Sequence, residues 1–255
     1  MTNKEITYIL MQYFAKQILC DADDFLKNEN IVILRSDTSQ PFFKMCCFGN
    51  SAVASVDKTM YDWCKSFLLT QEGFRCFDGI QMIEISKKLF NNGFSICCGQ
   101  GMLPDLSYKR IDKEINYDIK YYTKNELFAL ANDDLIQEIQ SFTSIKKETE
   151  HLFIAYDKER IIGVTPADKQ DEKIYELGVE VLPEYRRFGI ATALTIFATN
   201  ELLNQNLIPY ALTSWSNIRS RGVLQKCGYY PAWVVMDSMD LEWANEILYG
   251  KSHRN

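Results

Sequence analysis

The chain lacks the residue spacing that is typical of metal centres and disulfide frameworks. Its 255 residues include only two histidines, and none of its eight cysteines lies in a CxxC pair. A zinc site or a pattern of disulfides normally needs such groups at regular spacing. We therefore expect no metal, and we expect the cysteines to be reduced structural thiols of the kind found in a cytoplasm.

A secretion signal and a membrane span are also missing from the sequence pattern. The first residues have no basic start followed by a continuous apolar run. Instead, their apolar side chains recur on one helical face, namely Ile6, Ile9, Leu10, Tyr13, Phe14 and Ile18. This pattern predicts an amphipathic helix in a cytoplasmic protein that has no membrane partner.

An excess of positive charge is absent as well. The formal net charge is −6, whereas a nucleic-acid partner would require a basic surface that displaces counterions from phosphates. This charge argues against nucleic acid and suits a cationic small molecule. Hydrophobic residues make up 47% of the chain, enough to build a core for one large domain or two small ones.

Apolar runs of strand and helix spacing alternate through the C-terminal part. They predict strands at 115–122, 151–156, 160–167, 174–181, 208–213 and between 229 and 241, with helices within 124–142 and at 187–206 and 217–227. Such an alternation indicates an α/β fold.

The most informative segment is the run from Val181 to Ala191, which joins an apolar strand to a basic turn and a helix. The first amides of a helix have no internal partner and carry the positive end of the helix dipole. Arg186 and Arg187 add positive charge, and Gly189 lets an anion approach the backbone. The segment therefore predicts a phosphate cradle at the start of the helix.

The same segment resembles the coenzyme A signature of the GNAT superfamily of N-acetyltransferases, Arg/Gln-x-x-Gly-x-Gly/Ala. Arg186, Gly189 and Ala191 occupy its positions, and Val181 and Pro183 match the usual entry from the preceding strand. The resemblance implies a GNAT (acyl-CoA N-acyltransferase) fold with a mixed twisted sheet. The whole chain is similar to a bacterial branch of the zwittermicin-resistance type, in which a smaller α/β lobe comes first.

A second motif lies at the distance that the family leads one to expect. Asn217, Ser220 and Gly228-Tyr229 fit the pattern Asn-x-x-Ala/Ser followed by Gly-Phe/Tyr. The tyrosine that the family places seven residues after the asparagine is replaced by Leu224. The resemblance covers the chain from about residue 117 to about residue 241.

The resemblance implies acetyl-CoA as co-substrate. By position, the pantetheine arm and acetyl carbonyl would lie along Val179, Glu180 and Val181, where a backbone N–H can stabilise a developing oxyanion. The full set of predicted cofactor-binding residues is Val179, Val181, Arg186, Arg187, Phe188, Gly189, Ile190, Ala191, Thr192 and Asn217.

Two glutamates are candidates for the general base. Glu180 and Glu176 would share one face of the 174–181 strand if that strand is regular, and ordinary solvent-facing or ion-paired roles are the alternative. We favour Glu180. The position where some relatives carry the base holds Tyr175, which is a poor base at neutral pH.

The general acid is the weakest part of the predicted site, because Leu224 cannot donate a proton. Tyr229, Tyr230 or a water would have to replace it, or turnover would be slow. Trp215, Trp233 and Tyr230 could line an amine pocket through cation–π contacts, although core packing is the more common role of such rings.

The first 112 residues are predicted to form a separate α/β lobe, and residues 113–255 the acetyltransferase domain. Helices are expected at 4–26, 59–69 and 80–91, extended segments at 31–34 and 42–56, and a strand at 94–98. The helix ending before Gly93-Phe94 resembles the ending at Gly228-Tyr229, so the lobe is predicted to be a degenerate acetyltransferase-like unit. Gly99-Gln-Gly101 is interpreted as a plain loop.

The sequence thus predicts an N-acetyltransferase that moves an acetyl group from acetyl-CoA to a primary amine of a small molecule. The alternative is a catalytically weak or silent CoA-binding module, which the missing tyrosine would favour. A homodimer is a possible assembly.

Overall fold

The computed structural model describes residues 1–35, 41–110, 116–130, 133–143 and 145–249, and these form a mixed α/β structure. The helices are α1 (Asn3–Ile18), α2 (Lys58–Leu68), α3 (Gly79–Phe90), α4 (Lys124–Leu130), α5 (Asp133–Phe142), α6 (Ile190–Asn204), α7 (Ile218–Lys226) and α8 (Leu241–Tyr249). The strands are β1 (Ile31–Leu34), β2 (Phe43–Cys47), β3 (Ala52–Val56), β4 (Phe94–Pro104), β5 (Asp118–Thr123), β6 (Thr149–Asp157), β7 (Arg160–Asp171), β8 (Ile174–Leu177), β9 (Glu180–Val181), β10 (Ile208–Thr213) and β11 (Tyr229–Asp240). The predicted α/β class is confirmed.

The chain divides into two compact units. The central unit consists of Met1–Asn3 and Met102–Pro231, and the amino-terminal unit of Lys4–Gly101 and Ala232–Asn255. This division differs from the predicted boundary at 112/113, because the end of the chain belongs with the beginning: β11 pairs antiparallel with β2 from Val234↔Cys47 to Asp237↔Lys44. The charged stretch 108–114, which suggested the boundary, lies partly outside the described residues.

The amino-terminal unit contains a sheet in the order β1-β3-β2-β11-β4. The predicted helix 4–26 ends at Ile18, because Leu19 adopts a left-handed conformation with a φ of 66°, and a short 3-10 turn follows at Ala22–Leu26. The segment Gly99-Gln-Gly101 is part of β4, so its interpretation as a loop was wrong. Gly101 is required there because a Cβ would lie 2.0 Å from the Trp233 ring.

The central unit contains a sheet in the order β10-β8-β7-β6-β5, in which β10 and β8 are parallel and the other neighbours antiparallel. One apolar cluster joins β6, β7 and β8 to α6, and includes Phe153, Tyr175 and Leu194. A second cluster contains Leu127 of α4 and Ile139 of α5. Among the described residues, no helix has the length and apolar character needed to cross a membrane.

Helix α6 begins beside the predicted phosphate cradle and is buried over most of its circumference. Its apolar residues pack on the sheet, and its two central threonines satisfy their hydroxyls within the helix. Thr195 Oγ1 donates to the Ala191 carbonyl at 2.8 Å, and Thr199 Oγ1 donates to the Thr195 carbonyl at 2.6 Å. This burial fixes the first turn of α6 relative to the sheet.

Candidate acyl-CoA site

The predicted strand 174–181 is interrupted in the structure. β8 ends at Leu177, and β9 contains only Glu180 and Val181. β8 pairs with β10 as far as Glu176↔Tyr210, whereas the pairing described for β9 is with β7 alone, through Gly163↔Val181 and Val164↔Glu180. The backbone of 179–181 therefore lines an opening instead of continuing the ladder to β10.

The turn after β9 is held by side chains of the central unit. Arg186 Nε donates to the Val181 carbonyl at 3.0 Å. Tyr185 donates through its hydroxyl to Asp157 Oδ2 at 2.8 Å, and Arg160 pairs with Glu184 at 2.6 Å. These contacts link the short 3-10 turn Pro183–Tyr185 to the β6–β7 hairpin. They position the next residues at the mouth of the opening.

Two residues in the left-handed region shape the start of α6. Arg187 has a φ of 71° and Gly189 a φ of 87°. Gly189 is the residue before the helix, and its carbonyl accepts the first helical hydrogen bond from Ala193 N at 3.0 Å. The amides of Ile190, Ala191 and Thr192 precede that bond and have no partner within the helix. Gly189 is thus needed for backbone conformation as well as for close approach of an anion.

All ten predicted cofactor-binding residues line one open cleft of about 940 Å³. Its volume suits an elongated small-molecule ligand. The cleft is lined by Val179, Glu180, Val181, Pro183, Tyr185, Arg186, Arg187, Phe188, Gly189, Ile190, Ala191, Thr192, Asn217, Arg219, Ser220, Val223 and Lys226. The structure thereby brings together residues from β9, the α6 turn and α7.

Asn217 begins the second wall of the cleft. Its side-chain oxygen accepts a hydrogen bond from Ser220 N at 3.1 Å, which caps α7. Behind the cap, Arg219, Val223 and Lys226 also line the cleft. The predicted set of cofactor-binding residues does not include these three, although their spacing of i, i+4 and i+7 places them on one helical face.

The cleft is strongly cationic. Arg186, Arg187, Arg219 and Lys226 lie on it, and Glu180 is the one carboxylate among the described residues that line it. The protein as a whole is acidic, with a formal net charge of −6. A local reversal of sign of this kind attracts an anionic ligand.

The two candidate bases occupy different surroundings. Glu180 is exposed on the cleft, whereas Glu176 is half-buried and does not line it. Burial raises the pKa of Glu176, although the Tyr210 hydroxyl donates to its Oε2 at 3.1 Å. The expectation that a regular strand places both on one face does not hold, because the strand is interrupted between them.

Glu176 belongs to a polar cluster on two neighbouring strands. Its cross-strand partner Asp168 accepts from Thr149 Oγ1 at 2.6 Å and pairs with Lys146 at 2.7 Å. Tyr175, on the opposite side of the strand, donates to Glu150 Oε2 at 2.5 Å, and burial raises its pKa. Tyr175 is therefore a hydrogen-bond donor to Glu150 and not a base.

Neither of the two tyrosines proposed as substitutes for the missing acid, Tyr229 and Tyr230, lines the cleft. Leu224 is 6% exposed and packs with Met102, Ile196 and Ala211. Tyr229 is buried beside it, shares a 2.7 Å hydrogen bond with Thr199 Oγ1, and has a pKa raised by burial.

The remaining aromatic candidates also lie away from the cleft lining. Trp215 and Tyr230 do not line it, and Trp233 belongs to the aromatic core of the amino-terminal unit, where it packs on Phe14 and Phe48. The suggestion that these rings form the pocket is not supported for this cleft.

Part of the chain matches a known protein family. Residues 116–229, which are less than half of the chain, match the model of the acetyltransferase (GNAT) family. The GNAT resemblance is confirmed over this range. No curated protein matches the sequence.

Several solved structures are similar over part of their length. A GNAT-family protein from Novosphingobium aromaticivorans is 12% identical, with 57% of this chain and 66% of that chain covered and a TM-score of 0.44. A GNAT-family acetyltransferase from Colwellia psychrerythraea is 13% identical, covering 64% and 74% with a TM-score of 0.43. A tandem GNAT protein from the clavulanic acid biosynthesis pathway is 12% identical, covering 57% and 54% with a TM-score of 0.45.

Proposed function

We propose that the protein is an acetyl-CoA-dependent N-acetyltransferase that acts on a primary amine of a small molecule. One observation carries the proposal: the interrupted strand, the open amides of α6 and an arginine pair line the same cleft. Acetyl-CoA would supply the activated acyl group as a thioester. The residues present fit such a ligand, since an anionic diphosphate needs backbone donors and cations and an extended arm needs an unpaired strand edge.

In this account each part of the cleft has a separate task. The amides of Ile190, Ala191 and Thr192, with Arg187, hold the diphosphate. The side chain of Arg186 is committed to the Val181 carbonyl, so it supports the turn and adds charge. The backbone of Val179–Val181 lies where an N–H group can stabilise a developing oxyanion.

We propose Glu180 as the base that takes the proton of the acceptor amine, because it is the carboxylate on the cleft. Glu176 is the second candidate, since its raised pKa brings it closer to the range in which a general base works at neutral pH. Glu180→Gln should lower kcat by about 10²-fold if it is the base, with little change in binding. The matched variant Glu176→Gln should then keep most of the rate, and the opposite result would assign the base to Glu176.

The reaction itself is tested by release of free CoA thiol from acetyl-CoA with purified protein and a panel of primary amines. Amine-dependent release is the expected result. A panel without any amine-dependent release, combined with CoA binding, would contradict the enzymatic proposal.

A catalytically silent CoA-binding module is the second candidate function. It is favoured by Leu224, which fills a core position where the family carries its usual proton donor. A Tyr in place of Leu224 would have to enter that packed cluster. The thiol-release measurement therefore distinguishes the two candidates directly.

A further inference from the structure

The α7 wall of the cleft carries two cations in addition to the arginine pair of the α6 turn. Arg219 and Lys226 both line the cleft, one near each end of α7. Seven residues correspond to about 10 Å along a helix axis and to nearly two full turns, so both side chains leave the same face. Val223 lies between them on that face, which makes a stripe of cation, apolar side chain and cation.

Neither cation pairs with another side chain that the structure describes. Within the described part of the chain, the side chains of Arg219 and Lys226 make no hydrogen bond or ion pair, and neither does that of Arg187. Both are exposed. Unpaired like charges gathered in one cleft repel each other, and an anionic ligand would remove that repulsion.

The cations of the cleft form two sets, one at the α6 turn and one on α7, and each set can oppose one anionic group of a ligand. The open amides of α6 and the arginine pair of its turn already oppose one anionic group. The two cations of α7 remain, and a phosphomonoester carries a charge of about −1.5 to −2 at pH 7. The cleft therefore contains a cation pair of matching charge for a second phosphate, apart from the α6 turn.

We propose that Arg219 and Lys226 form a subsite for a phosphomonoester, so that the cleft prefers CoA, which has a 3′-phosphate, to dephospho-CoA. This inference rests on the proposed CoA-binding function. It identifies α7 as the element that sets nucleotide specificity, while the α6 turn supplies binding common to both nucleotides.

The position of α7 supports a stable subsite. Asn217 caps its first turn, and its C-terminal end is fixed because the Lys226 carbonyl accepts from the Tyr108 hydroxyl at 3.3 Å. Leu224 anchors the opposite face of the helix in the core. The two cations are thus long, solvated side chains on a helix that is itself held at both ends.

The test is calorimetric titration of the full chain with CoA and with dephospho-CoA. We expect wild-type protein to bind CoA about tenfold more tightly or better, which corresponds to ~1.4 kcal/mol. The double variant Arg219→Gln/Lys226→Gln should bind both nucleotides with about the dephospho-CoA affinity of the wild type. The preference of the wild type should shrink when ionic strength rises from about 0.05 M to about 0.5 M, because exposed charges are screened.

A matched control removes two positive charges away from the cleft. Lys147 and Lys173 are exposed residues of the central unit outside the cleft lining, so Lys147→Gln/Lys173→Gln should keep the preference. Equal affinity of the wild type for both nucleotides would overturn the subsite alone. A double α7 variant that loses both nucleotides equally, while its melting temperature is unchanged, would also overturn it. Absence of binding by either nucleotide to the wild type would instead contradict the proposed function.

Discussion

At the scale of single residues, Arg187 combines backbone strain with a proposed binding role. Its φ of 71° lies in the left-handed region, which costs a non-glycine residue roughly 1–2 kcal/mol. We expect Arg187→Gly to raise the free energy of unfolding by about 0.5–1 kcal/mol, after the extra flexibility of the unfolded chain is subtracted. The same variant should weaken CoA binding, because a cation leaves the cleft. Chemical denaturation and calorimetry measure the two effects.

Arg187→Ala separates strain from charge. Alanine keeps the left-handed penalty and removes the cation, so it should weaken CoA binding as Arg187→Gly does without the gain in stability. If both variants had the same free energy of unfolding, the left-handed conformation at this position would not destabilise the protein. If both kept the wild-type affinity, Arg187 would not contact the ligand.

Glu176 provides a pH-dependent test of its surroundings. Burial raises its pKa above the ordinary value of 4.5, so the folded state holds its proton more tightly than the unfolded state. Stability from this group is therefore lost as pH rises from about 4.5 through the folded-state pKa. Glu176→Gln should remove this loss, and its free energy of unfolding relative to wild type should increase between pH 4.5 and pH 7.5.

Tyr210→Phe is the companion variant for Glu176. The Tyr210 hydroxyl donates to Oε2 and thereby lowers the pKa of Glu176. Its removal should raise that pKa, so the loss of stability should extend to higher pH. Denaturation curves across pH give both results. The free energies of unfolding of Glu176→Gln and wild type could instead differ by a constant amount over this pH range. That result would show that burial does not destabilise the ionised carboxylate.

At the scale of elements, β9 depends on close packing beneath it. A Cβ at Gly163 would lie 3.0 Å from Leu194 Cδ1 and 3.2 Å from the Glu180 carbonyl oxygen. Gly163→Ala should therefore push β9 and α6 apart, with a loss of about 1–3 kcal/mol in stability and weaker CoA binding. Gly222→Ala is the matched control, because nothing lies within 4 Å of its Cβ position on α7.

The control has an expected sign of its own. Alanine in a helix interior is favoured over glycine by about 1 kcal/mol, so Gly222→Ala should stabilise the protein without loss of binding. Thermal unfolding and calorimetry distinguish the two glycines. Equal effects at both positions would contradict the packing described for β9.

Most elements of the central unit could be predicted from sequence, because hydrophobic period and turn residues fix them locally. The start of α6 was predicted for that reason, and the ten predicted cofactor-binding residues line one cleft. The break between β8 and β9 was not foreseen, since 174–181 alternates like one strand and its loss of pairing with β10 depends on a neighbour distant in sequence. Arg219 and Lys226 were missed because exposed cations on a helix are usually only solvated.

At the scale of the whole molecule, the division into units could not be read from sequence. No linker marks it, and the chain returns to the amino-terminal unit through β11, whose partner strand β2 lies nearly two hundred residues earlier. Such pairing is a tertiary effect that composition does not reveal. That the amino-terminal unit is a degenerate acetyltransferase-like lobe stays a prediction, and none of its described residues lines the cleft.

Binding of acetyl-CoA at the α6 turn is tested most directly by calorimetric titration of wild type and Gly189→Glu with acetyl-CoA. Glutamate would place a negative charge and a side chain at a φ of 87°, whereas Gly189→Asn introduces a neutral residue that tolerates this conformation. We predict one acetyl-CoA per wild-type chain, weaker binding by the Asn variant, and no binding by the Glu variant with its fold retained. Undiminished affinity of Gly189→Glu, or two acetyl-CoA molecules per chain, would contradict the account.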